Sequence, residues 1–323
     1  MNQGRLSPQA AASVGVIGLG IMGHLMARSL KAQGTEVYGH DPLAAMRRRC
    51  ARLGVELPGS NAEVAKNADL LILSLPSAAA LHAVVEELAC VPPRHGGQIV
   101  LETSTLPLAD KLAAARAFKR QGRQMLDAPI SGTATPAPEQ TWIMYLSGPV
   151  AACRQAASIV SAFTLKAPRV GAVGDGIKLK IAANHLVGIY NVACAEMVAL
   201  CRAMGLHPQV ALDHIGHSPY IGTGLMRLRM PMMVRREYEP ATMKIELWQK
   251  DMKVIGQMAE SVSCALPLLN ACGQIYDAAQ AQGRGVQDTA SVAEVWSPLA
   301  AEPAIRPPKP MVKLGTTAQA KRR

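Results

Sequence analysis

Short apolar runs alternate with helical spacing of apolar residues through the first half of the chain. Residues 14–18 (Val-Gly-Val-Ile-Gly) form a β-branched run that leads directly into glycines, and a helical pattern follows from Met22 to Gln33. Strands separated by helices are typical of βαβ units and a parallel sheet. The pattern therefore predicts an α/β fold with a doubly wound, mostly parallel sheet. The further predicted strands are Thr35–Gly39, Leu70–Leu75, Gln98–Glu102, Met125–Asp127, Trp142–Leu146 and Pro168–Val173.

The pattern changes at residues 174–176 (Gly-Asp-Gly). From Ile177 to Met204 the chain has no proline and its apolar residues follow helical spacing, which predicts one helix of about 28 residues and ~42 Å. Helical spacing continues to Trp296, so we expect an all-helical second domain joined to the first by this long helix. The predicted divisions are a disordered leader (1–12), an α/β domain (13–173), a helical domain (174–297) and a disordered, basic, proline-containing tail (298–323).

The net charge of +11 is unevenly distributed along the 323 residues. Residues 298–323 hold six basic side chains against one acid, Glu302, which leaves a mild excess of about +6 for the rest of the chain. Such an excess suits an anionic cofactor and acidic substrates. Aromatic residues make up only 3%, so the basic face with interleaved aromatics that is typical of nucleic-acid binding is missing. The composition predicts no nucleic-acid partner.

The seven cysteines form no Cys-x-x-Cys pair and show no metal-ligand spacing. An odd number of cysteines in apolar segments is typical of buried free thiols in a reducing compartment. We therefore expect a cytoplasmic protein without a metal site. The longest candidate for a membrane span, Leu70–Val85, contains Pro76 and His82 and falls short of the ~18 apolar residues that a span requires, so no membrane partner is expected.

The residues between the first strand and the first helix follow the pattern Gly-x-Gly-x-x-Gly. In this context the first glycine permits a tight turn, the second lets the backbone approach a pyrophosphate, and the third allows close packing of helix on strand. The helix N-terminus then presents unpaired N–H groups to the anion. The pattern predicts that a dinucleotide cofactor contacts Gly18, Leu19, Gly20, Ile21, Met22 and Gly23.

The adenosine ribose of that cofactor is expected to contact Asp41. This residue ends the second predicted strand, where a carboxylate can accept hydrogen bonds from the ribose hydroxyls. A carboxylate there repels a 2′-phosphate, which favours NAD. NADP remains the alternative because Arg47, Arg48 and Arg49 follow closely. Three consecutive arginines point in different directions on a helix, so we interpret them as a solvated face.

Lys180 and Asn184 are four residues apart in the predicted long helix and therefore share one face. Lys180 lies in the first predicted turn, where the positive end of the helix dipole disfavours an ammonium. Partial burial lowers the pKa of a lysine further, which gives an amine able to exchange protons near neutral pH. An amide beside it can orient a substrate hydroxyl without competing for the proton. The alternative interpretation is an exposed surface lysine, as we expect for Lys178.

Four separated blocks of the sequence occur in one order: Gly-Leu-Gly-Ile-Met-Gly at 18–23, Glu-Thr-Ser-Thr at 102–105, Asp-Ala-Pro-Ile-Ser-Gly at 127–132 and Gly-x-Gly-x-x-x-Lys at 174–180, with Lys250-Asp251 further on. In these blocks the chain resembles the β-hydroxyacid dehydrogenase family, which includes 3-hydroxyisobutyrate dehydrogenase and tartronate semialdehyde reductase. The likeness covers nearly the whole chain from about Val14 to Trp296. It implies a Rossmann domain, a long connecting helix and a helical domain for substrate binding and assembly into homodimers or homotetramers.

The resemblance also implies roles for individual residues. Lys180 matches the family's catalytic lysine, and Asn184 matches its substrate-orienting partner. Ser131 and Gly132 match the loop that binds the substrate carboxylate, a task suited to a hydroxyl and an exposed N–H. The following Thr133 is predicted to belong to the same substrate-binding site. The residues that match contacts to the cofactor near the nicotinamide are Leu75, Pro76, Thr105 and Lys250.

The chain departs from the family's pattern mainly after Gly132. Three glycines of the family's loop are replaced by Thr133, Pro136 and Gln140. Because proline fixes φ and threonine resists positive φ, the backbone there must follow a different path. In addition, Glu102 stands where aspartate is common, and Ala183 replaces the first of two asparagines. These departures bear on the substrate more than on the chemistry.

The sequence therefore predicts an oxidoreductase that transfers a hydride between NAD and a small 3-hydroxy acid, or the corresponding semialdehyde or keto acid, with Lys180 as general acid/base. An imine reductase is one alternative, although such enzymes usually lack the lysine. A 6-phosphogluconate dehydrogenase shares the lysine helix but has a much longer helical domain. A third alternative is a catalytically silent NAD-binding or interaction protein, to which the altered loop at 133–140 and the basic tail point.

Overall fold

The structure of the chain is a computed structural model that describes residues 13–132 and 142–299. It contains two compact units. The first comprises the described residues up to Leu186 together with Gln249–Leu266, and the second comprises Val187–Trp248 and the described residues from Pro267 onward. The strands are β1 (Val14–Ile17), β2 (Val37–His40), β3 (Leu70–Leu73), β4 (Ile99–Glu102), β5 (Gln124–Asp127), β6 (Ile130–Ser131), β7 (Trp142–Met144), β8 (Leu146–Ser147), β9 (Thr164–Lys166) and β10 (Arg169–Gly171).

The first unit is built on a seven-stranded sheet in the order β10-β8-β5-β4-β3-β1-β2. All of its pairings are parallel except that of β5 with β8, which confirms the predicted mostly parallel sheet. A smaller sheet in the order β6-β7-β9 was not predicted. The predicted strand at 142–146 is divided at Tyr145 between the two sheets, because β7 and β8 belong to different ones.

Helices cover both faces of the large sheet. Every residue of β1, β3 and β4 is buried, as expected for parallel strands between two helical layers. Alternate residues of β3 face opposite sides: Leu70 and Ile72 belong to one core cluster, and Leu71 and Leu73 to the other. The helices before the connecting helix are α1 (Ile21–Ala32), α2 (Ala44–Ala51), α3 (Asn61–Asn67), α4 (Ala78–Ala89), α5 (Leu108–Arg120) and α6 (Val150–Val160).

The predicted long helix is present as α7 (Asp175–Ala203), which begins two residues earlier than its apolar spacing suggested. The chain after it is helical as predicted, and its last segment, Thr289–Leu299, is a 3₁₀ helix. Pro298 and Leu299, which were assigned to the tail, thus continue this helix, and the remaining tail and the leader (1–12) lie outside the described residues. The other helices are α8 (Pro208–His214), α9 (Gly224–Arg235), α10 (Ile245–Ser261) and α11 (Pro267–Ala281).

By length and composition α7 qualifies as a membrane-spanning helix, with a mean hydropathy of 1.4 over its most apolar window. Polar residues interrupt its apolar positions, so it contains no unbroken apolar run that would have predicted a span. Two asparagines of α7 are nevertheless buried and hydrogen bonded: Asn184 Nδ2 donates to Asp251 Oδ2 in the first unit, and Asn191 Nδ2 donates to Tyr276 Oη in the second. Such contacts are those of a helix in the core of a globular protein.

The cysteines are all free, but only five of the seven are buried as predicted. Cys90 and Cys264 are exposed. Each lies near the end of a helix, Cys90 directly after α4 and Cys264 three residues after α10, where an apolar sequence neighbourhood does not guarantee burial.

Candidate active site

The glycine loop between β1 and α1 has the geometry that each glycine was predicted to supply. Gly18 has a φ of +89°, and a Cβ there would lie 2.2 Å from the Ser74 carbonyl oxygen. A Cβ on Gly23 would lie 1.9 Å from the Gly18 carbonyl oxygen, so α1 packs directly on the loop. A Cβ on Gly20 would meet no protein atom within 4 Å. The space above Gly20, at the N-terminus of α1, is therefore open, as the predicted approach of a pyrophosphate requires.

Asp41 is buried directly after β2 and connects to this loop. Its Oδ2 accepts a hydrogen bond from the Leu19 N–H at 2.8 Å, and its Oδ1 accepts one from the Leu43 N–H at 2.8 Å. The carboxylate is therefore fixed beside the glycine loop, where the sequence places the adenosine ribose. Arg47 Nη1 donates to the Asp41 and Pro42 carbonyl oxygens at 2.5 and 3.0 Å, so its guanidinium is held by the backbone next to the same carboxylate.

The ends of β3 and β4 bring together the residues predicted to contact the nicotinamide end of the cofactor. The Leu75 N–H donates to Ser104 Oγ at 2.8 Å, which ties the segment after β3 to the segment after β4. Leu75 and Thr105 are partly buried, and Pro76 is exposed. Because carboxyl ends of parallel strands share one edge of the sheet, these segments lie at the edge where doubly wound folds bind ligands.

The other predicted site residues lie on two helices of the first unit, Lys180 and Asn184 on α7 and Lys250 on α10, where Asp251 follows it. Asn184, 5% exposed, donates from Nδ2 to Asp251 Oδ2 at 3.1 Å. An ionised carboxylate can only accept, so Asp251 fixes which edge of the Asn184 amide faces it. Lys180 lies one turn before Asn184 on α7 and is partly buried. The predicted pair therefore shares a face, as its spacing required.

The pKa of Lys180 is lowered from its ordinary value of 10.5, first of all by burial. The Asp251 carboxylate opposes this shift and Lys250 adds to it. Burial also raises the pKa of Asp251, while Lys250 and Lys180 lower it in part. The predicted direction for Lys180 is correct but the expected dipole contribution is weaker, because α7 begins at Asp175 and Lys180 lies in its second turn, where the dipole acts less strongly.

Lys250 lies on α10 with 43% of its side chain exposed. Its Nζ donates to the Thr105 carbonyl oxygen at 3.2 Å and lies 3.6 Å from Asp251 Oδ1. This lysine thus connects α10 to the segment after β4 and places a positive charge beside the predicted nicotinamide contacts.

The predicted carboxylate-binding residues follow β5. Ser131 ends β6 and is partly buried, and Gly132 is exposed with a φ of +150°. A Cβ on Gly132 would lie 2.5 Å from Trp142 Cδ1, so no side chain fits there. Among the described residues, neither Ser131 nor Gly132 hydrogen bonds to Lys180 or Asn184. Thr133 lies outside the described residues, as do Pro136 and Gln140.

Asp251 was not predicted to have a role, although the Lys250-Asp251 pair is part of the family resemblance. The structure shows that this carboxylate contacts Asn184 and acts on the pKa of Lys180. The contact joins residues 67 positions apart, which no local pattern indicates. The available signal was a buried acid on α10, where Asp251 is one turn before Val254 and Ile255 on the apolar face.

Comparison with known proteins matches family models to both parts of the chain. The NAD binding domain of 6-phosphogluconate dehydrogenase matches residues 13–171, and the NAD-binding domain of NADP-dependent 3-hydroxyisobutyrate dehydrogenase matches residues 174–296. L-threonate dehydrogenase of Cupriavidus necator is 31% identical over 289 residues, which cover 88% of this chain and 96% of that protein. The chain belongs to the β-hydroxyacid dehydrogenase family.

Other members of the β-hydroxyacid dehydrogenase family agree with this assignment. The 3-sulfolactaldehyde reductase of Escherichia coli is 30% identical over 287 residues, which cover 88% of this chain and 95% of that protein. The crystal structure of 3-hydroxyisobutyrate dehydrogenase from Salmonella typhimurium is similar with a TM-score of 0.77 and 26% identity, covering 88% of this chain and 99% of that one. The chain is thus an NAD(P)-dependent oxidoreductase that acts on the CH–OH group of small hydroxy acids, and the predicted fold, family and cofactor class are confirmed.

Proposed function

We propose that this enzyme oxidises a small 3-hydroxy acid, or reduces the corresponding semialdehyde or keto acid, with Lys180 as the general acid/base. The observation that carries the proposal is the face of α7 on which Lys180 and Asn184 lie one turn apart, with Asn184 held by the buried Asp251. This face belongs to the same unit as the glycine loop. Bound NAD(P) supplies the hydride acceptor or donor.

Lys180 has the property that proton exchange requires. To take the proton of a substrate hydroxyl, its amine must be neutral, and burial lowers its pKa and so makes the neutral form more accessible. In reduction the same group returns the proton to the new hydroxyl. Lys250 favours the neutral form of Lys180 and Asp251 favours the ammonium, so the two neighbours on α10 set the balance between neutral and protonated Lys180.

Asn184 has the role of orienting the reacting oxygen. Its Nδ2 donates to Asp251 at 3.1 Å, which fixes the plane of the amide and leaves its remaining donor and acceptor sites for a substrate hydroxyl or carbonyl. Because an amide does not titrate near neutral pH, it positions the oxygen without competing for the proton that Lys180 exchanges. Asp251 supports the reaction through Asn184.

The substrate carboxylate is assigned to Ser131, Gly132 and Thr133. A hydroxyl and the backbone N–H of a glycine that tolerates no side chain suit an anion of this size. Two relatives are named for anionic substrates, L-threonate and 3-sulfolactaldehyde, which supports a small anionic substrate for this chain.

NAD is the proposed cofactor, with NADP as the second candidate. The Asp41 carboxylate is fixed beside Leu19 in the glycine loop, where it suits free ribose hydroxyls and repels a 2′-phosphate. Arg47 binds the Asp41 and Pro42 carbonyl oxygens, and Arg48 and Arg49 are exposed, so all three arginines agree with a surface role. Pro76, Leu75, Thr105 and Lys250 are proposed to contact the nicotinamide end.

The division into a Rossmann domain (13–173) and a helical substrate and oligomerisation domain (174–297) is part of the same proposal. We also propose a homodimer or homotetramer, as the family resemblance implies. The cysteine pattern, the charge distribution and the scarcity of aromatic residues support a cytoplasmic location without nucleic-acid or membrane partners. The imine reductase alternative is disfavoured by Lys180, and the catalytically silent alternative is addressed by the experiment below.

The experiment is a panel of short 2- and 3-hydroxy acids and their carbonyl partners, each offered with NAD and with NADP, with NADH or NADPH followed by absorbance. Each acid is paired with its methyl ester as a control, because the ester keeps the hydroxyl and removes the anion. We expect turnover of at least one 3-hydroxy acid with NAD and little with its ester. Tight NADH binding without turnover of any acid would favour the silent alternative, and equal turnover of acid and ester would refute the carboxylate site.

A further inference from the structure

A fully buried cluster of one lysine and two carboxylates lies in the first unit. Lys111 Nζ is 2.7 Å from Glu102 Oε2 and 2.6 Å from Asp127 Oδ1, and none of the three side chains is exposed. Glu102 and Asp127 are neighbours because they are register partners at the ends of β4 and β5. Lys111 reaches them from the buried face of α5, which it shares with Ala114 and Phe118. Two buried carboxylates at such close quarters require a neutralising cation, and Lys111 provides it.

The cluster reaches the start of α7 through Asp127. Its Oδ2 accepts the Ile177 N–H at 2.7 Å. Ser147 Oγ accepts the Gly176 N–H at 3.0 Å and donates to the Asp127 carbonyl oxygen at 2.9 Å. The first N–H groups of a helix have no partner within the helix, and a negative charge stabilises that end. Asp127 therefore fixes the N-terminus of the helix that carries Lys180.

The cluster also reaches the other half of the site through Glu102. Its Oε1 accepts the Ser104 N–H at 2.9 Å, and Ser104 Oγ in turn accepts the Leu75 N–H at 2.8 Å. The segments after β3 and β4, which hold the proposed nicotinamide contacts, are thus connected to the same lysine as the start of α7.

Charged groups on the neighbouring elements are paired with one another, so the neutralisation of the Glu102 and Asp127 carboxylates depends on Lys111. On α4 and α5, His82 pairs with Asp110 at 2.8 Å, and on α7, Asp175 pairs with Lys178 at 2.9 Å. Burial lowers the pKa of Lys111, but Glu102 and Asp127 more than offset it, so that its pKa lies above the ordinary value. Lys111 therefore remains an ammonium throughout the pH range in which the enzyme would be assayed.

We propose that Lys111 is a positioning residue for the reaction: its ammonium neutralises Glu102 and Asp127, and Asp127 can then hold the start of α7 and thereby place Lys180. Lys111 acts through Asp127 and not on the substrate. The inference rests on the catalytic role proposed for Lys180, and it adds a residue to which neither the sequence motifs nor the comparisons assign a function.

The test compares Lys111→Met with the double variant Glu102→Gln/Lys111→Met, and uses Lys119→Met on the exposed face of α5 as the control. In Lys111→Met a proton shared by the carboxylates replaces the ammonium at low pH and is lost at high pH. Its kcat relative to the unaltered enzyme should therefore fall by about tenfold to a hundredfold between about pH 6 and about pH 9, as expected when a catalytic group is displaced. The double variant contains one carboxylate fewer and has no carboxylate pair to share a proton, so the decline of its relative kcat with pH should disappear.

Two results would overturn the proposal: a constant relative kcat of Lys111→Met across this pH range, or a decline that persists in the double variant. If Lys111 serves only to fill space in the core, one of these two results is expected. If Lys111→Met does not fold, the double variant should still fold, because it no longer buries two carboxylates without a cation. If neither variant folds, the proposed neutralisation of the two carboxylates by Lys111 is refuted.

Hydrogen exchange at the first turns of α7 separates this inference from the proposed function. In Lys111→Met at high pH these amides should exchange faster than in the unaltered enzyme, and in the double variant they should not. Unchanged exchange in Lys111→Met would refute the link from Lys111 to α7 whatever the activity. An unaltered enzyme that turns over no hydroxy acid would instead refute the proposed function, and the exchange measurement would still decide whether Lys111 holds α7.

Discussion

Two alanine substitutions in the glycine loop should have different effects, one on the stability of the fold and the other on cofactor affinity. In Gly23→Ala the new Cβ would lie 1.9 Å from the Gly18 carbonyl oxygen, so the contact must open by more than about 1 Å to reach an ordinary van der Waals distance. Helix α1 cannot withdraw freely, because Met26, Ala27 and Leu30 pack in the core. Overpacking of this kind costs about 1–3 kcal/mol, which lowers the melting temperature by roughly 3–10 °C.

In Gly20→Ala the same methyl group has a different effect. The new Cβ would meet no protein atom within 4 Å, and the φ of −59° is acceptable to alanine. Stability should change by less than about 1 kcal/mol. The methyl group would occupy the space that a pyrophosphate needs, so NADH affinity should fall about tenfold or more, equivalent to ~1.4 kcal/mol.

Two measurements on each variant decide the matter: the thermal unfolding midpoint and an NADH titration followed by fluorescence. The expected pattern is a destabilised Gly23→Ala and a stable Gly20→Ala with weak NADH binding. Equal loss of stability in the two variants would contradict the difference in packing between Gly20 and Gly23. NADH affinity in Gly20→Ala within about twofold of the original would show that the space above Gly20 is not where the cofactor binds.

Three further predictions concern specificity, pH dependence and stability. Asp41→Asn should reduce the preference for NAD over NADP by about tenfold or more, and an unchanged ratio of kcat/KM for the two cofactors would refute the ribose assignment. Oxidation should accelerate as pH rises through the lowered pKa of Lys180, and reduction should slow over the same range. Asp251→Asn removes a charge that raises this pKa, so the midpoints of the pH–rate curves for oxidation and reduction should both move to lower pH. A move to higher pH would contradict the account. Arg229→Met removes the cation 2.6 Å from the buried Asp288 and leaves that carboxylate with neutral donors such as the Thr242 and Ala290 N–H groups. It should lower the free energy of unfolding in urea by about 3–5 kcal/mol, whereas the loss of an exposed arginine of α9 should have little effect.

The order of the main elements could be predicted from the sequence because their signals are local. The β-branched run before Gly18 and the helical spacing after it define β1 and α1. The interval between Lys180 and Asn184 places them on one face of any helix. Strands of two or three residues, such as β6 and β9, carry too few positions for an alternating pattern.

The parts that could not be predicted depend on distant partners. Helix α7 begins before Ile177 because the carboxylate of Asp127, 50 residues earlier, accepts the Ile177 N–H. Sequence signals for a helix start involve only nearby residues, so this start could not be predicted. Asp251 and Lys111 act on side chains far away in the sequence. For Lys111 a signal existed, a lysine on an otherwise apolar helical face, but its meaning depended on knowing that Glu102 and Asp127 are neighbours.

The proton-exchanging amine on α7 is the central claim, and a comparison of Lys180→Ala with Lys178→Ala tests it most directly. Lys178 lies two residues earlier on the exposed side of the same helix and pairs with Asp175, so its variant controls for the loss of a lysine. With a substrate found in the panel, Lys180→Ala should lose about 10²- to 10⁴-fold in kcat while its NADH affinity stays close to that of the unaltered enzyme, and Lys178→Ala should retain its turnover. Full turnover in Lys180→Ala would contradict the account.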